Sequence, residues 1–141
     1  MAKEGLHSVL KLAEVKEKDA AFLYVDAQKV LDSNQSKLEE LCEFRSDYHQ
    51  KAEARISPSQ FQSTRQFLFQ LSEVIDIQEQ QLEITRISML REKENWLDRR
   101  VERKSIEKLK EKWAKKLEKV RQSREQGELD EFASQAKNPF S

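Results

Sequence analysis

Leu6, Leu10, Ala13, Glu17, Ala20, Tyr24, Ala27, Leu31, Asn34, Leu38, Leu41, Arg45, Tyr48 and Ala52 follow one another at alternating spacings of four and three residues. Apolar at every step except Glu17, Asn34 and Arg45, this pattern has a period of ~3.5 residues, which marks a helix with one narrow buried seam. A helix in a globular core would carry a wider apolar stripe. The chain of 141 residues holds only two glycines and two prolines, too little turn chemistry for a sheet, so the expected fold is all-α. Charged residues make up 37% of it and hydrophobic residues 37%, which fits long helices sharing a thin core.

The pattern resumes after Pro58 at Phe61, Leu68, Leu71, Ile75, Gln78, Leu82, Thr85, Met89 and Trp96, weakens, and returns at Ile106, Trp113, Leu117 and Val120. The break between the two runs has its own chemistry. Ser57 suits the N-cap, Pro58 the first helical position, and Gln60 completes a Ser-x-x-Gln capping box. Ile56 and Phe61 flank it as a hydrophobic staple. Proline also disfavours helical geometry in the residue before it, so the first helix must end just upstream.

A connection this short joins antiparallel neighbours, and the two runs are expected to form an antiparallel coiled-coil hairpin. We place helix 1 at about 4–54, the turn at about 55–57 and helix 2 at about 58–126, with Gly127 as the first cheap helix stop and 127–141 as a short flexible tail. Matching layers outward from the turn puts Leu31 near Leu82, Leu38 near Ile75, and Asn34 near Gln78 as a polar layer able to fix register. At ~1.5 Å per residue the helices would span ~75 and ~100 Å, so helix 2 overhangs the start of helix 1 by ~20 to 25 Å.

The formal net charge is zero, yet residues 86–124 carry 15 basic and 7 acidic side chains. That stretch includes the overhang, where Lys108, Lys110, Lys112, Lys115, Lys116, Lys119, Arg121 and Arg124 surround Trp113, Leu117 and Val120. A charge run on a helix is usually a solvated face. Here the seam residues continue where no partner helix remains, which favours an interface with an anionic partner. Nucleic acid is disfavoured, because Glu107, Glu111 and Glu118 interrupt the basic run and no dimeric basic-zipper layout is present.

Helix 2 carries more apolar residues between Phe67 and Leu90 than one seam can bury. Phe67, Leu71, Val74 and Gln78 form a second line beside the seam, although Leu71 and Gln78 also belong to the seam itself. Self-association, a third helix or a docking protein would each cover this surplus.

Catalysis is not expected. The glycines are too few for a phosphate-cradling loop, and His7, His49 and the single cysteine, Cys42, stand in no metal-ligand spacing. A two-helix hairpin also offers no deep pocket to tune a carboxylate. No enzyme activity, cofactor or metal is therefore anticipated. With no signal peptide and no apolar run long enough to span a bilayer, a cytosolic protein is the default expectation.

The segments LKLAEVKEKDAA, EFRSDYHQK, RQFLFQLSEVIDIQEQQL and LDEFASQA, with Trp96 between the last two, occur in an order and spacing that resembles the FliJ family of bacterial flagellar export proteins. The likeness covers nearly the whole chain. It implies a stalk like that of the rotary ATP synthase gamma subunit, inserted in the hexameric export ATPase and linked to the membrane export gate FlhA. It further implies contact with export chaperones, a role in flagellum assembly and motility, and a cytoplasmic protein peripherally associated with the inner face of the cell membrane. No direct membrane insertion is implied, and the free protein would be a monomer.

In this resemblance the gate contact falls on Phe67, Leu71, Val74 and Gln78, where the family pattern has a smaller residue in place of Val74 and a histidine in place of Gln78. By analogy with a rotary stalk, Lys108, Lys112, Trp113, Lys115, Lys116 and Lys119 would face the ATPase ring. An equivalent stalk from a virulence-type secretion system, or a generic coiled-coil scaffold, would share the same heptads.

Overall fold

The structure, a computed structural model, describes residues 2–54 and 57–137. It contains two helices, α1 (Ala2–Ala54) and α2 (Pro58–Lys137), packed against each other as an antiparallel hairpin. The turn is held locally. The Gln60 backbone N–H donates to Ser57 Oγ at 3.3 Å, and the Ser57 N–H donates to Gln60 Oε1 at 3.2 Å. These are the two reciprocal bonds of a capping box, and each satisfies a donor that the first turn of a helix would otherwise leave open. Phe61 N–H donates to Ser57 O at 2.9 Å, which starts α2. The proposed staple cannot be followed: Ile56 lies outside the described residues, and Phe61 is 55% exposed, so it does not begin the seam.

Two compact units divide the hairpin, one comprising Lys18–Asp98 and the other Met1–Glu17 with Arg99–Ser141. Within the first, Ala20, Leu71 and Ile75 are buried, and Ile75 at 1% exposure is the most enclosed. The remaining seam positions there, such as Leu31, Leu38, Leu68, Leu82 and Met89, are half-buried because two helices leave each layer open at its sides. Gln78 Nε2 donates to the backbone carbonyl of Asn34 at 3.3 Å, so the polar layer forms through main chain and not between the two side chains. Tyr24 and Trp96 meet with ring centroids 5.6 Å apart.

In the second unit Leu10 and Ala13 are buried. Here Glu17, the one acidic residue of the α1 seam, is gripped by Arg103 through Nε and Nη2, and Arg103 Nη1 also reaches Glu107 at 2.9 Å. The Glu17 and Arg103 side chains are only 17% and 20% exposed. Hydrogen bonds from Arg103 to Glu17 and then to Glu107 hold its guanidinium above the ordinary arginine range. Counting heptads on from Trp96 lands on Arg99 and Arg103, so the seam does not lapse where apolar residues thin out; arginines occupy it.

The end of α2 departs from the sequence expectation. Gly127 does not stop the helix, which continues unbroken to Lys137; the stretch expected to be a flexible tail is helical as far as it is described. No glycine in the described chain takes a positive φ. Glycine permits a left-handed stop without requiring one, and good helix formers on both sides carry the helix through at a cost of about 1 kcal/mol relative to alanine. Nothing lies within 4 Å of a Cβ built on Gly127. Gly127→Ala is therefore expected to stabilise this arm by ~0.5 to 1 kcal/mol, read as greater hydrogen-exchange protection around residue 127. An unchanged or lowered protection would show that the arm is not helical there in solution.

Candidate functional site

Two surfaces carry the candidate residues, and each lies within one compact unit. In the turn-proximal unit, Phe67 packs on Tyr48 with ring centroids 4.6 Å apart, and on Phe44 edge-on at 6.2 Å. Phe44 and Tyr48 also approach at 6.3 Å, which completes an aromatic trio. Despite these contacts Phe67 is 37% exposed and Phe44 52%, so the trio presents a preformed apolar surface. Such pairs add about 0.5 to 1.5 kcal/mol beyond their area, enough to fix the rings without a partner.

The four residues of the proposed gate line do not share this surface. Phe67 and Val74, seven residues apart, look outward, and Val74 is 48% exposed. Leu71 is buried, and Gln78 is half-buried with its amide committed to Asn34. Positions 67, 71, 74 and 78 lie within about 60° of one face of α2, and α1 covers the edge that carries Leu71 and Gln78, so these two serve the seam while Phe67 and Val74 stay at its flank. Phe44 is the residue that sequence reasoning missed. Its signal was available, since the register that pairs Leu38 with Ile75 brings Phe44 within one helical turn of Phe67.

The second surface is the arm of α2. Lys110, half-buried, approaches His7 Nδ1 at 3.4 Å; from Glu111 to Ala136 every residue is exposed. The exposed arm thus includes Lys112, Trp113, Lys115, Lys116 and Lys119, while Lys108 is exposed just before it. Trp113 is 42% exposed, and the Lys116 ammonium sits 5.9 Å from its ring centroid, a cation–π distance. Arg121 is engaged by Glu118 at 2.8 Å and lies 4.0 Å from Glu125. Trp113, Leu117 and Val120 continue the α2 seam and are 42%, 50% and 55% exposed, so the arm offers apolar side chains and lysines together.

Among the described residues, no three His, Cys, Asp or Glu side chains come together to hold a metal ion, and no helix is long and apolar enough to cross a membrane. The grooves beside the turn are open ones, lined by residues such as Tyr48, Ala52, Ser63 and Thr64 on one side and Phe61, Arg65 and Leu68 on the other. Two long helices packed along a thin seam, with outward aromatic side chains in one unit and exposed lysines in the other, define an all-α antiparallel hairpin protein.

The profile of the family described as flagellar FliJ protein matches residues 2–138, essentially the entire chain. This chain belongs to the FliJ family, and it is a component of the flagellar protein export apparatus. No individual curated protein and no solved structure matches it significantly.

Proposed function

We propose that this protein is a non-catalytic coupler of the flagellar export apparatus that engages two partners through two separate stretches of α2. The basic arm enters the ring of the hexameric export ATPase, and the aromatic surface contacts the membrane gate FlhA. Export chaperones are handled by the assembled protein, which acts as a monomer in the cytoplasm, peripherally held at the inner face of the membrane. Flagellum assembly and motility depend on both contacts.

The observation that carries this reading is the division of labour along α2. Its seam side is consumed by α1 through Leu71, Ile75 and Gln78, while Phe67 and, further on, Trp113 with its lysines remain outward. Outward aromatic anchors whose rotamers are already fixed favour binding, because little side-chain freedom is lost when a partner docks. The gate contact is narrowed accordingly to Phe67 and Val74, with Phe44 as support.

Phe67→Ala is expected to leave helix content unchanged, cost about 1 kcal/mol of stability through the lost ring contacts, and weaken binding to purified gate protein by about tenfold or more. Leu71→Ala, in contrast, acts on the seam and lowers thermal stability before it affects binding. A pull-down in which Phe67→Ala binds the gate as well as the unaltered protein would remove this surface from the proposal.

A further inference from the structure

The basic arm has a finer organisation than a charge run. Leu109, Trp113, Leu117 and Val120 follow spacings of four, four and three, which place them on one helical face; they are 45%, 42%, 50% and 55% exposed. Lys112, Lys116 and Lys119 run directly beside that face, and Lys110, Arg121 and Arg124 border it on the other side and at its end. Glu107, Glu111, Glu118 and Glu125 all fall on the opposite face. The carboxylates are thus sorted away from the apolar stripe, while cations line both of its edges. Salt bridging within the arm does not require this sorting.

A partner matched to this face must be apolar along its middle and anionic on both sides. A second copy of the same face is unsuitable, since its lysine borders would meet lysine borders. An anionic bilayer surface fits all three stripes at once: the apolar side chains enter the boundary between headgroups and acyl chains, tryptophan rests at that level, and lysines extend their stems to reach the phosphates. The Lys116 ammonium already lies beside the Trp113 ring, which is the arrangement such a side chain adopts at an interface. We propose that residues 108–124 of α2 adsorb lengthwise on an anionic lipid surface, with Leu109, Trp113, Leu117 and Val120 facing inward and Lys112, Lys116, Lys119 and Arg124 at the headgroups. This contact does not depend on the ATPase-ring reading and competes with it for the same face.

The test is co-sedimentation of the full chain with vesicles of phosphatidylglycerol and phosphatidylethanolamine, against vesicles of phosphatidylcholine, with no other protein present. Binding to the anionic vesicles is expected to weaken with salt and to shift Trp113 emission to the blue, an effect absent in Trp113→Phe. Reversing Lys112, Lys116 and Lys119 to Glu should reduce binding on the order of 100-fold. The double change Leu117→Ser and Val120→Ser should also reduce it several-fold, whereas Glu111→Gln with Glu125→Gln should not. All the altered residues are exposed, so circular dichroism should stay the same. The proposal is overturned if the chain binds phosphatidylcholine equally, if the serine variant binds as well as the original, or if no vesicle binding occurs while the same variants lose a protein partner. That last outcome would assign the face to an acidic, apolar protein groove.

Discussion

Truncating Ile75 to alanine is expected to cost about 2 to 5 kcal/mol in chemical denaturation, the range for deleting an aliphatic side chain from a packed site. Ile75 is 1% exposed, the most enclosed side chain in a seam where most neighbours keep one edge in water. A two-helix hairpin has no third layer to refill the space, and each seam layer supports only its neighbours. The loss should therefore appear mainly within Lys18–Asp98, as faster amide exchange in the helical turns around Ile75, while the exposed arm from Glu111 onward exchanges as before. Ile77→Ala, two residues away and 59% exposed, supplies the contrast and should change stability by about 0.5 kcal/mol or less. Equal costs at the two positions would contradict the register of the hairpin.

The second large effect concerns the arm. Reversing Lys115, Lys116 and Lys119 to Glu should abolish stimulation of the export ATPase while leaving the hairpin folded. All three side chains are exposed, and none of the seam contacts with α1 involves them. New like-charge neighbours at Glu111 and Glu118 cost the helix only about 0.2 to 0.5 kcal/mol per pair. An anionic surface that attracted three cations would instead meet three anions, and juxtaposed like charges cost several kcal/mol at an interface. Stimulation by the unaltered protein should correspondingly decline as salt rises, because exposed charges are screened over ~10 Å at 0.1 M ionic strength. A reversed variant that stimulates the ATPase normally would remove the arm from the ring contact.

These two positions differ in how visible they were. Ile75 could be picked from spacing alone, since the heptad that runs from Leu68 to Trp96 passes through it. The arm was legible as a basic stretch continuing a seam, but its length was not. Gly127 reads as a stop in any local inspection; its helical conformation follows from the residues on both sides of it and from the absence of any contact that would reward a turn. The family likewise shows in the order of segments along the chain, and the family profile spans residues 2–138.

The site residues show the limit most clearly. Spacing assigned Leu71 and Gln78 to the seam and to an outward line at once, and nothing in the sequence decided between them. Packing decided: Leu71 is 8% exposed, and Gln78 donates its amide to the Asn34 carbonyl. The Glu17–Arg103 pair was hidden for a related reason. A glutamate in one heptad and an arginine in another each look like a flaw in a seam until the register brings them together, where each gives the other a reason to be half-buried.

The sequence by itself determined two helices meeting at a capped turn and the placement of charge along them, though not where α2 ends, because heptad periodicity, N-capping by Ser57 and Gln60, and the sorting of lysines from glutamates act over a few residues of one helix. Only the tertiary structure decided which faces remained available. It joined Phe44 to Phe67, withdrew Leu71 and Gln78, and left Trp113 partly exposed, because exposure depends on which residues of α1 stand opposite each turn of α2.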